Sequence, residues 1–79
     1  MSPRGQRLPQ VTAVDVVRAL KRAGWYEVRQ VGSHLRLRHD DQPEDLTISM
    51  HRGDVPKGTL AAIIKQAGMT QAEFQELLR

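Results

Sequence analysis

The segment His34-Leu35-Arg36-Leu37-Arg38 decides the fold, because polar and apolar side chains alternate along it without interruption. Alternation with period two is typical of a β-strand that has one buried face and one solvated face. A second segment, Leu46-Thr47-Ile48-Ser49-Met50-His51, repeats the pattern after an acidic turn over residues 40–45 that contains proline. The two segments therefore predict neighbouring antiparallel strands with a common apolar face.

A further strand is predicted upstream, at residues 26–30, with Tyr26 and Val28 facing inward and Arg29 facing outward. A short turn over residues 31–33, which contains Gly32, joins it to the strand that begins at His34. Together these segments predict a three-stranded antiparallel sheet.

Helical patterns flank the sheet on both sides. Before it, Thr12 and Asp15 carry the signature of an N-terminal capping box, and Gly24 is placed to end that helix. After it, Pro56 falls in the first turn of a second helix, which Asp54 is predicted to cap. The sequence therefore predicts one helix before the sheet and at least one after it.

A third helix follows a capping box in residues 70–73 and runs to about residue 78. The predicted order is α-β-β-β-α-α, which is an α+β fold with helices packed on one face of the antiparallel sheet. Residues 1–10 are interpreted as an N-terminal tail, and residues 11–79 as a single domain.

Composition narrows the class of protein. The 79 residues include 12 Lys and Arg against 9 Asp and Glu, a net charge of +3, which favours a nucleic acid or an acidic protein as partner. The chain has no cysteine, so a disulfide framework, a thiol nucleophile and a thiolate zinc site are excluded. No apolar run approaches the roughly eighteen residues of a membrane span, and no signal peptide is evident. We expect a cytoplasmic protein without membrane association.

The outward face of the predicted sheet collects basic side chains by alternation alone, namely Arg29, His34, Arg36, Arg38 and His51. Cleavage of RNA without a metal ion needs a base for the 2′-hydroxyl proton, positive charge beside the phosphate and an acid for the leaving oxygen. Histidine titrates near neutral pH, and arginine binds phosphate oxygens. The face therefore carries the residue types that a metal-independent ribonuclease requires.

Each candidate residue has a distinct role in this hypothesis. His34 is the candidate proton-transfer residue, and His51 is the candidate second proton carrier. Glycine admits close approach of a substrate backbone, and a hydroxyl can donate to a phosphate oxygen. The candidate substrate contacts are Gly32, Ser33, Arg36, Arg38 and Lys57. Because His34 and His51 lack the short spacing of zinc ligands, we predict no metal and no cofactor.

The same residues also have structural interpretations that involve no ligand. A histidine at a strand end is often a solvated surface residue, and alternating arginines also protect an exposed strand against edge pairing. His39, next to the acidic turn, is assigned to charge neutralisation, and Trp25 and Tyr26 to the core and its rim rather than to base stacking. From the residues alone, a ribonuclease, a non-catalytic RNA-binding module and a protein-interaction domain all stay open.

Several segments, in order along the chain, carry a resemblance to a known family. They are Leu8-Pro9, residues 18–25, Arg29-Gln30-Val31-Gly32-Ser33-His34, His51-Arg52-Gly53, and Pro56-Lys57-Gly58-Thr59-Leu60 continuing to Gly68. With these motifs the chain resembles the HicA toxin family over nearly its whole length. One departure is Ser49, a position at which the family often has proline.

The resemblance implies a fold, an activity and partners. The implied fold is like that of double-stranded-RNA-binding domains, and the implied activity is that of a messenger RNA endonuclease, the toxin of a type II toxin–antitoxin system. In that family the catalytic residue is the histidine of the Gly-Ser-His motif. The resemblance therefore implies that His34 is the catalytic residue of this chain. The implied partners are messenger RNA and a HicB-like antitoxin that silences the toxin, with operator DNA contacted only through the antitoxin complex. The alternative is a non-catalytic RNA-binding module of the same fold.

Overall fold

The computed structural model describes residues 8–79, so residues 1–7 of the predicted tail lie outside the described residues. The order of elements is α-β-β-β-α-α, as the sequence predicts. The elements are α1 (Ala13–Arg22), β1 (Tyr26–Val31), β2 (His34–Arg38), β3 (Leu46–Ser49), α2 (Lys57–Gln66) and α3 (Gln71–Leu77).

The strands form one antiparallel sheet in the order β1-β2-β3, which confirms the predicted α+β fold. The inner faces of β2 and β3 are apolar and buried beneath the helices, while the alternate residues of these two strands are exposed. From the sheet, the core takes Leu35, Leu37, Leu46 and Ile48; from the helices, it takes Val16, Leu20, Leu60, Ile64 and Phe74. The opposite face of the sheet is left open to solvent.

Local capping signals place α1 and α3 where the sequence predicts them. The Thr12 hydroxyl accepts a hydrogen bond from the Asp15 backbone N–H at 3.2 Å, and the Thr12 N–H donates to the Asp15 carboxylate at 3.1 Å. Thr70 and Glu73 form the same reciprocal pair at the start of α3. Both capping boxes satisfy backbone donors that the first turn of a helix leaves unpaired.

The predicted cap of α2 is wrong. Pro56, not Asp54, occupies the N-cap position, and no side chain caps this helix. Asp54 instead forms an isolated β-bridge with Thr12, and the neighbouring Val55 N–H donates to the Val11 carbonyl at 2.8 Å. The segment before α2 is therefore held against the start of α1, and this long-range pairing takes Asp54 away from the helix end.

The predicted inward orientation of Tyr26 is also wrong, and Val28, at 41% exposed, does not enter the buried core. Tyr26 lies opposite Arg38 and Arg29 lies opposite Arg36, with an irregularity of register between Glu27 and Arg29. The extra residue at this bulge reverses the alternation, so Tyr26 shares the outer face with Arg29.

The position of Glu27 agrees with this reversal of the alternation. Glu27 lies opposite the buried Leu37 and reaches Lys21 of α1 at 2.5 Å, on the helix side of the sheet. Residues 26 and 27 have therefore exchanged the faces that regular alternation would give them.

Candidate functional site

The β1–β2 hairpin sets the position of His34. Val31 and His34 are paired across the hairpin, so the connection consists of Gly32 and Ser33 alone. Gly32 has φ of 60° and Ser33 has a negative φ, as a type II′ turn requires. A Cβ on Gly32 would meet no atom within 4 Å, so the turn needs glycine here for its backbone conformation.

His34 is the first residue of β2 and lies between both neighbouring strands, opposite Val31 in β1 and Ser49 in β3. Its side chain is exposed on the outer face of the sheet and makes no hydrogen bond or ion pair with the described residues. Its two ring nitrogens are therefore open to a ligand. This is the condition that proton transfer to a bound substrate requires.

A shallow cavity of about 150 Å³ opens beside His34 on the outer face. Its lining residues come from all three strands and are Arg29, Val31, His34, Arg36 and Thr47. The cavity thus combines an imidazole, two guanidinium groups, a hydroxyl and an exposed apolar wall. This set of groups suits a phosphate with an attached sugar.

Arg29 and Arg36 lie directly opposite each other on adjacent strands. Arg29 has no carboxylate partner among residues 8–79, and the nearest carboxylate to Arg36 is that of Asp45, at 3.9 Å. Like charges directly opposite in a sheet are destabilising, and this pair is barely compensated within the chain. The pair therefore forms a site of positive charge that an anion would stabilise.

Arg38 is bound quite differently from Arg36. Its guanidinium donates two hydrogen bonds to Asp45, at 2.9 and 3.0 Å, in a bidentate pair. These bonds lower the pKa of Asp45 and raise the pKa of Arg38. Of the two arginines that the sequence proposes on β2 as phosphate contacts, the structure leaves Arg36 open and pairs Arg38 within the chain.

The structure does not bring His51 or Lys57 into the cavity beside His34. β3 ends at Ser49, earlier than the alternation predicts, so His51 lies in the following loop. His51 lines a separate cavity of about 240 Å³ between that loop and the start of α2. Lys57 is exposed as the first residue of α2. His34 is thus the imidazole that shares a cavity with the arginine pair.

His39 has a structural role rather than the predicted neutralisation of the acidic turn. Its Nδ1 accepts a hydrogen bond from the Asp41 N–H at 2.9 Å, which leaves Nε2 to donate to the Ala23 carbonyl, also at 2.9 Å. The ring centroid lies 5.3 Å from that of the buried Trp25. His39 therefore ties the turn after β2 to the end of α1.

Two other features, a metal-binding cluster and a membrane-spanning helix, are absent from the described part of the chain. Within residues 8–79, no group of three or more His, Asp or Glu side chains is arranged to hold a metal ion. None of the helices described there has the length and hydropathy that crossing a bilayer requires.

Sequence reasoning missed the contributions of Asp45, Val31 and Thr47. The sequence places Asp45 only in the acidic turn, whereas in the structure it binds Arg38 through two hydrogen bonds and approaches Arg36 no closer than 3.9 Å. Val31 and Thr47 enter the cavity because their strands pair with β2 at His34 and Arg36. Strand alternation gives the face of each residue, but only the register gives its neighbours.

Comparison with known families agrees with this architecture. Residues 13–69 match the family described as the HicA toxin of bacterial toxin–antitoxin systems, a match that spans more than half of the 79 residues. The chain belongs to the HicA toxin family. The match includes the whole sheet and α2, and therefore every residue of the cavity beside His34. Membership in this family of toxins implies an antitoxin partner. A comparison with curated proteins finds no match.

Proposed function

We propose that this HicA toxin is a metal-independent endoribonuclease that cleaves messenger RNA at the cavity beside His34. One observation carries the proposal: an imidazole with no hydrogen-bond or ion-pair partner among residues 8–79 lines the same open cavity as two facing arginines, whose carboxylate contact is Asp45 at 3.9 Å from Arg36. Arginine guanidinium groups bind phosphate oxygens, and imidazole exchanges protons near neutral pH. RNA is the polyanion that offers a 2′-hydroxyl nucleophile next to each phosphate.

In the proposed reaction, the 2′-oxygen forms a bond to phosphorus and the bond from phosphorus to the 5′-oxygen breaks. The products are a 2′,3′-cyclic phosphate and a 5′-hydroxyl. His34 exchanges a proton at one of these two oxygens, and solvent supplies or accepts the other proton. Arg29 and Arg36 neutralise the charge that accumulates on the equatorial phosphate oxygens. Thr47 and Val31 border the space left for the sugar.

The proposed antitoxin is HicB-like and neutralises the toxin by covering the outer face of the sheet. Occupation of this face would deny RNA access to His34 and to both arginines. It would also add buried area to a chain of only 79 residues, whose own core is small.

The proposal is tested by expressing the toxin without its antitoxin and following growth of the host. We expect wild-type toxin to arrest growth and His34→Ala to abolish the arrest. The matched control is His51→Ala, which removes an exposed imidazole outside the His34 cavity and should leave the arrest intact. Both variants are first compared with wild type by circular dichroism. Undiminished arrest by a folded His34→Ala protein would contradict the proposed role.

A further inference from the structure

Tyr26 presents an aromatic ring on the basic face of the sheet. The chain has one Trp, one Tyr and one Phe, of which Trp25 and Phe74 are 3% and 0% exposed. Tyr26 is 44% exposed and lies opposite Arg38, on the same face as His34. The bulge between Glu27 and Arg29 produces this placement, because regular alternation would turn the ring towards the helices. An exposed aromatic ring beside arginines calls for a functional explanation.

The ring is held in place before any ligand arrives. Its hydroxyl donates a hydrogen bond to the Asp40 carboxylate at 3.0 Å, and this bond raises the pKa of Tyr26. On the neighbouring strand, the Arg38 guanidinium is fixed by its two bonds to Asp45. A ring that is already ordered loses little conformational entropy when it binds a partner.

We propose that Tyr26 is a stacking platform for a base of single-stranded RNA whose phosphate occupies the cavity beside His34. This inference rests on the proposed function and adds the class of substrate. Arg38, across from Tyr26, lies four residues along β2 from His34, which is about 13 Å in an extended strand. An extended RNA strand covers that distance in a few nucleotides.

The proposed contact selects single-stranded RNA over a duplex. A flat ring on an open sheet can reach only the face of an unstacked base, and the bases of an A-form helix are closed to it. Stacking on an aromatic ring tolerates any base, because every base has a π-face. The Tyr26 contact would therefore add affinity for unpaired regions of a messenger RNA without selecting a sequence.

Binding of a short 2′-O-methyl RNA, which has no 2′-hydroxyl to attack, separates this contact from cleavage. We expect Tyr26→Phe, which keeps the ring, to bind about as well as wild type. Tyr26→Leu, which keeps apolar volume but loses the ring, should bind roughly tenfold more weakly, the scale of one base–aromatic stack. Both variants lose the hydroxyl bond to Asp40, so their thermal unfolding temperatures are compared. Equal temperatures would show that a difference in RNA binding does not come from a difference in stability.

A set of oligonucleotides, each with one abasic position, then locates the stacked base. The inference predicts one abasic position at which wild type and Tyr26→Leu bind equally, because the base that the ring would contact is missing. Equal binding of wild type and Tyr26→Leu to the intact oligonucleotide would overturn the inference. The inference would also be overturned if Tyr26→Leu bound every abasic oligonucleotide more weakly than wild type by the same factor. The ring would then act on the fold or on another contact.

Two results distinguish the stacking contact of Tyr26 from the proposed ribonuclease activity. If wild type binds and cleaves RNA while Tyr26→Leu behaves like wild type, the stacking contact is refuted and the ribonuclease stands. If the folded wild-type protein binds no RNA, both are refuted, and the exposed ring belongs to a surface for a protein partner.

Discussion

Arg36 and Arg38 provide a sharp test of the proposed phosphate site, because they are identical side chains two residues apart on the same face of β2. Arg36 borders the His34 cavity, and its nearest carboxylate is 3.9 Å away. Arg38 is held by two hydrogen bonds to Asp45. If RNA is bound only by general attraction to positive charge, both arginines should contribute equally to affinity. If the phosphate occupies a defined site, Arg36 should contribute and Arg38 should not.

The perturbation is Arg36→Gln, compared with the double variant Arg38→Gln/Asp45→Asn. The double variant removes the ion pair without changing net charge, and it leaves no free Asp45 carboxylate to capture Arg36. A hydrogen bond to a charged group contributes about 1.5–3 kcal/mol, so Arg36→Gln should weaken RNA binding by roughly ten- to a hundredfold. The double variant should bind within about twofold of wild type, because an exposed ion pair that faces solvent adds little.

The assay is fluorescence anisotropy with labelled single-stranded RNA at several salt concentrations. Each phosphate contact with a single strand contributes about 0.7 to the slope of log affinity against log salt. Arg36→Gln should therefore lower the slope by about 0.7, and the double variant should leave it unchanged. An unchanged slope for Arg36→Gln, or equal losses for the two proteins, would refute the assignment of the phosphate site to Arg36.

The remaining predictions concern the fold. Gly32→Ala should cost about 1–2 kcal/mol of stability from its positive φ alone, whereas Gly24→Ala should cost more, because its Cβ would lie 2.8 Å from Nε2 of His39. Urea unfolding measures both, and a larger loss for Gly32→Ala would contradict the geometry. A hydrogen bond from the backbone of Thr12 lowers the pKa of Asp15 below its ordinary 3.8. Its stabilising effect is therefore present above pH 3.8 and is lost as the pH falls through the folded-state pKa. Acid titration of the free energy of unfolding should give a shallower loss for Asp15→Asn, and identical curves would contradict this prediction.

Elements whose signals are local could be predicted from the sequence. The capping boxes at Thr12 and Thr70 each join residues three positions apart, so the sequence contains both partners of every bond. The alternation of β2 likewise gives its buried and exposed faces. The prediction of His34 as the candidate residue combined this alternation with the family resemblance, and its catalytic role stays a prediction.

Features that depend on pairing between distant segments could not be predicted. The face of Tyr26 depends on a bulge, which exists only relative to the residues of β2 opposite it. The failure of Asp54 to cap α2 depends on a bridge to Thr12, more than forty residues away. The contrast between Arg36 and Arg38 depends on where the loop before β3 places Asp45. In each case the deciding partner is absent from the local sequence.

The most direct test of the account is cleavage of a long unstructured RNA by purified toxin in EDTA, beside a folded His34→Ala protein prepared identically. We expect cutting by wild type alone, with 2′,3′-cyclic phosphate and 5′-hydroxyl ends identified by mass spectrometry. Equal cutting by both proteins would contradict the assignment of His34. Binding without cutting by either protein would contradict the ribonuclease and favour a non-catalytic RNA-binding module.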